Sequence, residues 1–239
     1  MLVAPAARHP DAYVCGDYAC CKAYHSTERL QERWGEQFYA HRRTIESAIA
    51  ATDGIILLYE NRPILAAFHA ASYGYTEASG SLWNPVPYLQ SVRSFEGVSE
   101  VPNFYYTVTH TFHAFRDIVQ AQHPTAHLPD GDEAAWISNV IHTPSGRLAE
   151  LSVGGVTLTG AQFRSLFGLR ATMVQFSFDA TSITLTTGGH GHGVGMSQFG
   201  ANTKATIGLS FDAILQWYYT NVTLALLDDL FVSQADAPS

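Results

Sequence analysis

The chain has 239 residues, 46% of them apolar and 14% charged, enough to bury a core and too little charge for a disordered segment. Thirteen Lys+Arg against 21 Asp+Glu give a net charge of −8, and no basic run could track a phosphate backbone, so nucleic acid is excluded as an expected partner. No stretch reaches the roughly 18 apolar residues of a spanning helix, and the opening MLVAPAAR has neither a basic nor a long apolar region, so no membrane or export segment is expected.

In chain order, the first feature is HPDAYVCGDYACC, which carries His9 and the only three cysteines, Cys15, Cys20 and Cys21. An odd, clustered set cannot complete a disulfide framework. One imidazole and three thiolates suit tetrahedral Zn²⁺, and four protein ligands leave no open position, so such a metal is structural. Small buried thiols beside a surface histidine are the alternative; the absence of cysteine elsewhere favours the metal. From Thr27 to about Ala51, Leu30, Trp34, Phe38, Ile45 and Ile49 recur on one face, which predicts an amphipathic helix. After Gly54, IILLYE and ILAAFHA flank Asn61-Arg62-Pro63 and predict a hairpin.

ASYGYTEASGSLWNPVPYL reads as a long loop carrying Tyr73, Tyr75, Glu77 and Trp83. Phe104 to His110 predicts a strand, and TFHAFRDIVQAQ a short helix. WISNVIHT, RLAELSVGG and VTLTG predict strands, AQFRSLFGL a helix, and VQFSFDATSITLTT a second hairpin. With no repeat or linker, the expected fold class is α+β: a single mixed domain of short strands and hairpins with several helices around a central cleft, spanning 1–230, with a flexible tail over 231–239.

GGHGHGVGMSQFGAN, Gly188 to Asn202, is the most informative stretch. Its glycines serve positive φ or a ligand's close approach to the backbone, while His190, His192, Ser197 and Gln198 supply proton-transfer and hydrogen-bonding groups. A tight turn, or two ligands of an unrelated metal site, are the alternatives. Among carboxylates, Glu77 is the one expected to face a cleft, and Glu60, Glu96 and Glu100 are expected on solvated edges. Stacking on a sugar is expected from Trp83, Tyr73 or Tyr75, which as core residues would serve equally. No GxSxG, HExxH or P-loop is present, which demotes hydrolase, zinc-protease and nucleotide readings.

GGHGHGVGMSQFGAN, TGAQFRSLFGLRAT (Thr159 to Thr172) and AASYGYTEASGSLW with PVPYLQSV together resemble the stage II sporulation protein D (SpoIID) and amidase-enhancer (LytB) family of peptidoglycan proteins, from His9 to about Val222. HPDAYVCGDYACCKAY resembles the family's zinc-binding branch, with Cys20 in place of a second histidine, which implies structural zinc on His9, Cys15, Cys20 and Cys21. The resemblance implies a lytic transglycosylase that cuts peptide-stripped glycan between N-acetylmuramic acid and N-acetylglucosamine. A single acid suffices there, because the sugar's own C6 hydroxyl attacks the anomeric carbon to give a 1,6-anhydro end. The family's acid lies in a Glu-Met-Pro segment upstream of the metal segment that this chain does not contain, so the resemblance assigns no acid; Glu77, which matches a loop position of the family, is the local substitute to test, and His190 and His192 are the other catalytic candidates. Ser72, Thr76, Ser197 and Gln198 match cleft positions and, with Trp83, are expected to hold sugar. A non-catalytic peptidoglycan-binding enhancer of a cell-wall amidase is the alternative. Either implies a location outside the cytoplasm, at the wall or sporulation septum.

Overall fold

A computed structural model describes residues 15–17 and 23–229. His9, Cys20, Cys21 and the tail over 231–239 lie outside the described residues. The α+β class is as expected, and the chain falls into two compact units, 1–65 with 223–239, and 66–222.

In the first unit, Ser26 caps helix α1 (Thr27–Trp34) by accepting from the Arg29 N–H at 3.3 Å. The helix stops at Gly35, whose φ of +51° is incompatible with α geometry, and a single 3-10 turn leads into α2 (Phe38–Ala51). The single helix expected over Thr27–Ala51 is therefore two. Strand β1 (Ile55–Tyr59) pairs antiparallel with β2 (Arg62–Pro63) on one edge and with the last described strand, β11 (Thr223–Leu226), on the other. The turn is Glu60–Asn61, at φ +49° and +59°, one step before the Asn61-Arg62-Pro63 expected from sequence. Two consecutive positive φ values match the twist of a two-residue hairpin, and Asn tolerates them.

ILAAFHA does not return as a hairpin strand. Instead Phe68–His69 (β3) enters the second unit and pairs in parallel with Met196–Ser197 (β10). There β4 (Tyr105–Thr111) runs into α3 (Phe112–Gln122), capped by Thr111. Strands β5 (Ile137–His142), β6 (Leu148–Val153) and β7 (Val156–Thr159) form one meander, in the order β5-β6-β7. Helix α4 (Gly160–Leu166) begins with a reciprocal capping box between Thr159 and Gln162. Strands β8 (Val174–Phe178) and β9 (Ser182–Gly188) complete a second antiparallel sheet, ordered β4-β9-β8. Two helices close the unit, α5 (Gln198–Thr206) and α6 (Phe211–Tyr218).

Phe115, Phe163 and Phe167 centre the core, with the Phe115 and Phe167 rings 4.7 Å apart and Phe163 and Phe167 4.8 Å apart. Burying each is worth about 2–3 kcal/mol. This core fixes the ends of β9 and β6, and the loops leaving those ends form the candidate site.

Candidate functional site

The stretch from Gly188 to Ser197 is a strap laid along residues 67–77. His190 and Ala71 exchange backbone hydrogen bonds (2.8 and 3.1 Å), the Glu77 N–H donates to Gly193 O at 2.8 Å, and the Met196 N–H to Ala67 O at 3.1 Å. From the other side the Gly191 N–H reaches Arg170 O at 2.9 Å. The glycines allow this. Gly189, Gly191, Gly193 and Gly195 all have positive φ, and a Cβ on Gly191 would stand 2.8 Å from His69 Cβ. The histidine–glycine loop and the Ser/Thr loop, read separately in the sequence, are one backbone unit. Its end is helical: Ser197 is the N-cap of α5, accepting from the Gly200 N–H at 3.2 Å.

His192 stands at the centre of an aromatic group. Its ring centroid lies 5.7 Å from His69 and 5.2 Å from Trp83. The Val194 N–H donates to His192 Nδ1 at 3.1 Å, which fixes the neutral ring as the Nε2–H tautomer. Below it, His69 is 4% exposed and lies 3.3 Å by Nδ1 from Val194 O and 2.6 Å by Nε2 from Ser72 Oγ. The carbonyl can only accept, so Nδ1 carries the proton and Nε2 accepts from the serine. Burial, then the nearby Arg147 guanidinium and His192, push His69 down to about 3.

That shift has a pH consequence. Between about pH 6.5 and 3 the unfolded chain takes up a proton on His69 that the folded chain refuses, so stability falls as pH falls through that window. The slope is about 1 kcal/mol per pH unit for this one group. Urea unfolding from pH 7 to 4 is expected to show it, and His69→Gln to flatten it; an unchanged slope in the variant would place the effect elsewhere.

Two carboxylates are built into the floor. Glu77 is 1% exposed and accepts from Thr143 Oγ1 and Ser145 Oγ, both at 2.6 Å, and from the Ala78 N–H at 3.0 Å. Glu96 is 5% exposed and accepts from the Ser72 N–H at 2.7 Å, from Ser94 Oγ at 2.5 Å and from Ser197 Oγ. The expectation that Glu96 lies on a solvated edge is thus overturned: three buried donors converge on it, and they make burial of a carboxylate tolerable. Arg147 is buried between these acids and the strap, with neither Nη atom hydrogen-bonded; burial lowers its pKa while Glu77 and Glu96 oppose that.

Of the residues expected to hold sugar, Ser72, Thr76 and Ser197 are buried and spend their hydroxyls internally. Ser72 bonds His69, Thr76 Oγ1 accepts from the Val92 N–H at 2.9 Å, and Ser197 joins Glu96 to α5. His190, Gln198 and Trp83 are exposed, and His192 is half-buried. Burial lowers the His190 pKa, helped by Arg170 and Arg164. Cys15 is the one described member of the expected zinc set, and no cluster of three or more metal-binding side chains occurs among the described residues. His69, Arg147, Thr143 and Ser145 are site residues that sequence reasoning missed. Arg147 and Ser145 lie in PSGRL, which reads only as the turn before a strand.

With this geometry in hand, comparison finds relatives along most of the chain. Stage II sporulation protein D of Bacillus amyloliquefaciens is 34% identical over 230 residues, covering 95% of this chain and 64% of that protein. The protein of the same name from Bacillus subtilis (strain 168) is 33% identical over 229 residues, with the same coverage. The amidase enhancer of Bacillus subtilis (strain 168) is 26% identical over 245 residues, covering 78% of this chain and 33% of that protein. No family model matches the chain. The chain is therefore a relative of the stage II sporulation protein D and amidase enhancer proteins, and it spans 64% of the length of the former.

Proposed function

We propose that this chain binds peptide-stripped peptidoglycan glycan at the strap, as part of a SpoIID-type lytic transglycosylase that cleaves between N-acetylmuramic acid and N-acetylglucosamine to leave 1,6-anhydro ends. The observation that carries the reading is His192, held in one tautomer between a buried imidazole and a half-exposed indole on a strap with no side chains at alternate positions. Such a surface suits the uncharged N-acetylglucosamine ring of such a strand: Trp83 stacks on its C–H face and the imidazole bonds its hydroxyl or acetamido groups. The names of the relatives support a sporulation role linked to the cell wall; a place outside the cytoplasm, at the wall or septum, follows from the proposed substrate.

Cleavage needs a proton delivered to the glycosidic oxygen as its bond to the anomeric carbon breaks, while the C6 hydroxyl closes on that carbon and gives its own proton back to the conjugate base of the acid. Glu77 and Glu96 each accept from three donors, so as they stand they position the floor; Glu77 would have to release Thr143 and Ser145 to act as the acid. That engagement favours the second reading, a non-catalytic glycan-binding enhancer of a cell-wall amidase. Mass spectrometry of denuded glycan strands separates the two: 1,6-anhydro-muramyl ends support the first, retention of intact strands the second. His192→Ala is expected to weaken binding about tenfold or more, with little change in melting temperature, by removing one oriented hydrogen bond and a ring contact. Unchanged affinity would sink the strap as the site.

Structural zinc on His9, Cys15, Cys20 and Cys21 belongs to the same proposal, because three thiolates and an imidazole form a closed tetrahedral set whose chemistry fits Zn²⁺. The metal would tie the ends of that segment together and take no part in glycan chemistry. About one zinc per chain by elemental analysis is expected, lost together with thermal stability in Cys15→Ser. A metal-free chain of equal stability would remove the metal.

A further inference from the structure

The outward face of the β4-β9-β8 sheet breaks a rule of exposed sheets. β4 and β8 are its two edge strands, and edge strands are normally blunted with charge, lysine above all. In a chain with 21 Asp+Glu, no residue of Tyr105–Thr111, Val174–Phe178 or Ser182–Gly188 is Asp, Glu, Lys or Arg. The inward side is ordinary core, with Val174, Ile183 and Leu185 buried.

The outward side is a lattice of hydroxyls and one amide. Thr107 stands opposite Thr186, and Thr109 opposite Thr184, with hydroxyl oxygens 3.1 and 2.9 Å apart; Gln175 and Ser177 of β8 extend the two rows. Each threonine pair uses one O–H internally and keeps the other, with spare lone pairs, for whatever lies above. Successive rows are about 6.8 Å apart along the strand.

The head of this face adjoins the strap. Tyr105, half-exposed, meets Tyr73 edge-on at 6.1 Å, with hydroxyls 3.4 Å apart. Gly188, the last residue of β9, lies flush against the Tyr73 ring, where a Cβ would overlap it. Tyr73 follows Ser72 directly, and Gly188 opens the strap, so the face begins where the strap site ends.

Resting on the function proposed above, we propose that this face is a second, extended glycan surface, which takes N-acetylated sugar residues beyond those seated at the strap. Tyr105 supplies a stacking platform for a pyranose C–H face, and the free threonine hydroxyls with Gln175 bond hydroxyl and acetamido groups. Charge does not oppose this occupant. Glycan stripped of peptide carries lactyl carboxylates, which a chain of net charge −8 repels in general, while this face holds no carboxylate to repel them. Threonine is also a good strand former on any solvated face, and an uncharged β4 edge could pair with another strand; both are outcomes of the test.

Calorimetric titration of the whole chain with N-acetylchitooligosaccharides of two to three and of six to eight sugars reads the face directly. The wild type is expected to bind the long ligands about tenfold or more tightly than the short ones. Thr107→Val with Thr109→Val, Gln175→Ala and Tyr105→Ser is expected to erase that gain while leaving short-ligand affinity unchanged. Valine keeps shape and strand preference, and thermal unfolding checks that the variant folds. No length gain in the wild type, or a gain that survives in the variant, overturns the proposal, as does a chain that instead self-associates through β4. Loss of short-ligand binding alone, with a variant-sensitive long-ligand affinity, would refute the strap site and leave the face standing; no binding at any length refutes both.

Discussion

Gly195→Ala is expected to lower the melting temperature by about 10 °C and abolish glycan binding at the strap. Gly195 has φ +72°, where an L side chain costs about 1–2 kcal/mol. Its missing Cβ would also overlap the Ala67 carbonyl, standing 2.9 Å from the carbonyl carbon. That obstacle is backbone and is held in place: Ala67 O accepts from the Met196 N–H at 3.1 Å and from Tyr219 Oη at 2.8 Å. Moving it breaks the β3–β10 pairing that sets His69 beside His192, so overpacking adds about 1–3 kcal/mol to the strain. At about 2–4 °C per kcal/mol for a chain of this size, the two effects give the expected shift. Gly168→Ala is the control. It too has positive φ, +61°, but nothing lies within 4 Å of an added Cβ, so only the strain of about 1–2 kcal/mol applies. Circular dichroism melts of the two variants separate the contributions, and equal shifts would refute the claim that the strap is clamped by Ala67.

What was legible in the sequence, and what was not, follows the range of the interactions. Local signals placed β4 with α3, the β6-β7 hairpin with α4, and the β8-β9 hairpin, because alternation, a capping threonine and a turn are written within a few residues. The two-helix form of Thr27–Ala51 turns on Gly35 alone, which a periodic apolar face reads through. The parallel pairing of Phe68–His69 with Met196–Ser197 joins residues more than a hundred positions apart, and a two-residue strand has no pattern of its own. Helices α5 and α6 were not read: α5 begins inside a stretch whose glycines suggest loop, though Ser197 is a good N-cap. In the site, the glycines and His192 were readable as chemistry. The inward turn of Ser72, Thr76 and Ser197 was not, since a serine that caps, bridges or binds looks the same in sequence. Glu96 shows the same limit: only the folded chain brings Ser72, Ser94 and Ser197 around it.

Glu96→Ala is expected to cost about 4 kcal/mol and Glu96→Gln about half of that, and the ratio tests how the floor is built. In the alanine variant the Ser72 N–H and the Ser94 and Ser197 hydroxyls lose their acceptor in a buried place, at about 1–3 kcal/mol for each group left unmatched, less whatever the hydroxyls recover by rotating. A glutamine keeps one oxygen, which must face the Ser72 N–H because a backbone amide can only donate. Its NH₂ then meets Ser94 Oγ, which has to switch from donor to acceptor. Ser94 Oγ also lies 2.8 Å from the Tyr218 hydroxyl, a phenol that burial pushes up to about 12, and there the serine proton can go. The amide therefore preserves the network at the cost of one partnership, the phenol's own proton, together with the negative charge that opposes the burial-driven lowering of the Lys204 pKa. Urea unfolding gives both values. If glutamine proves as damaging as alanine, the charge on Glu96 rather than its accepting geometry holds Ser72 to Ser197 at the end of the strap, and restoring a carboxylate with Glu96→Asp would then recover more stability than glutamine does.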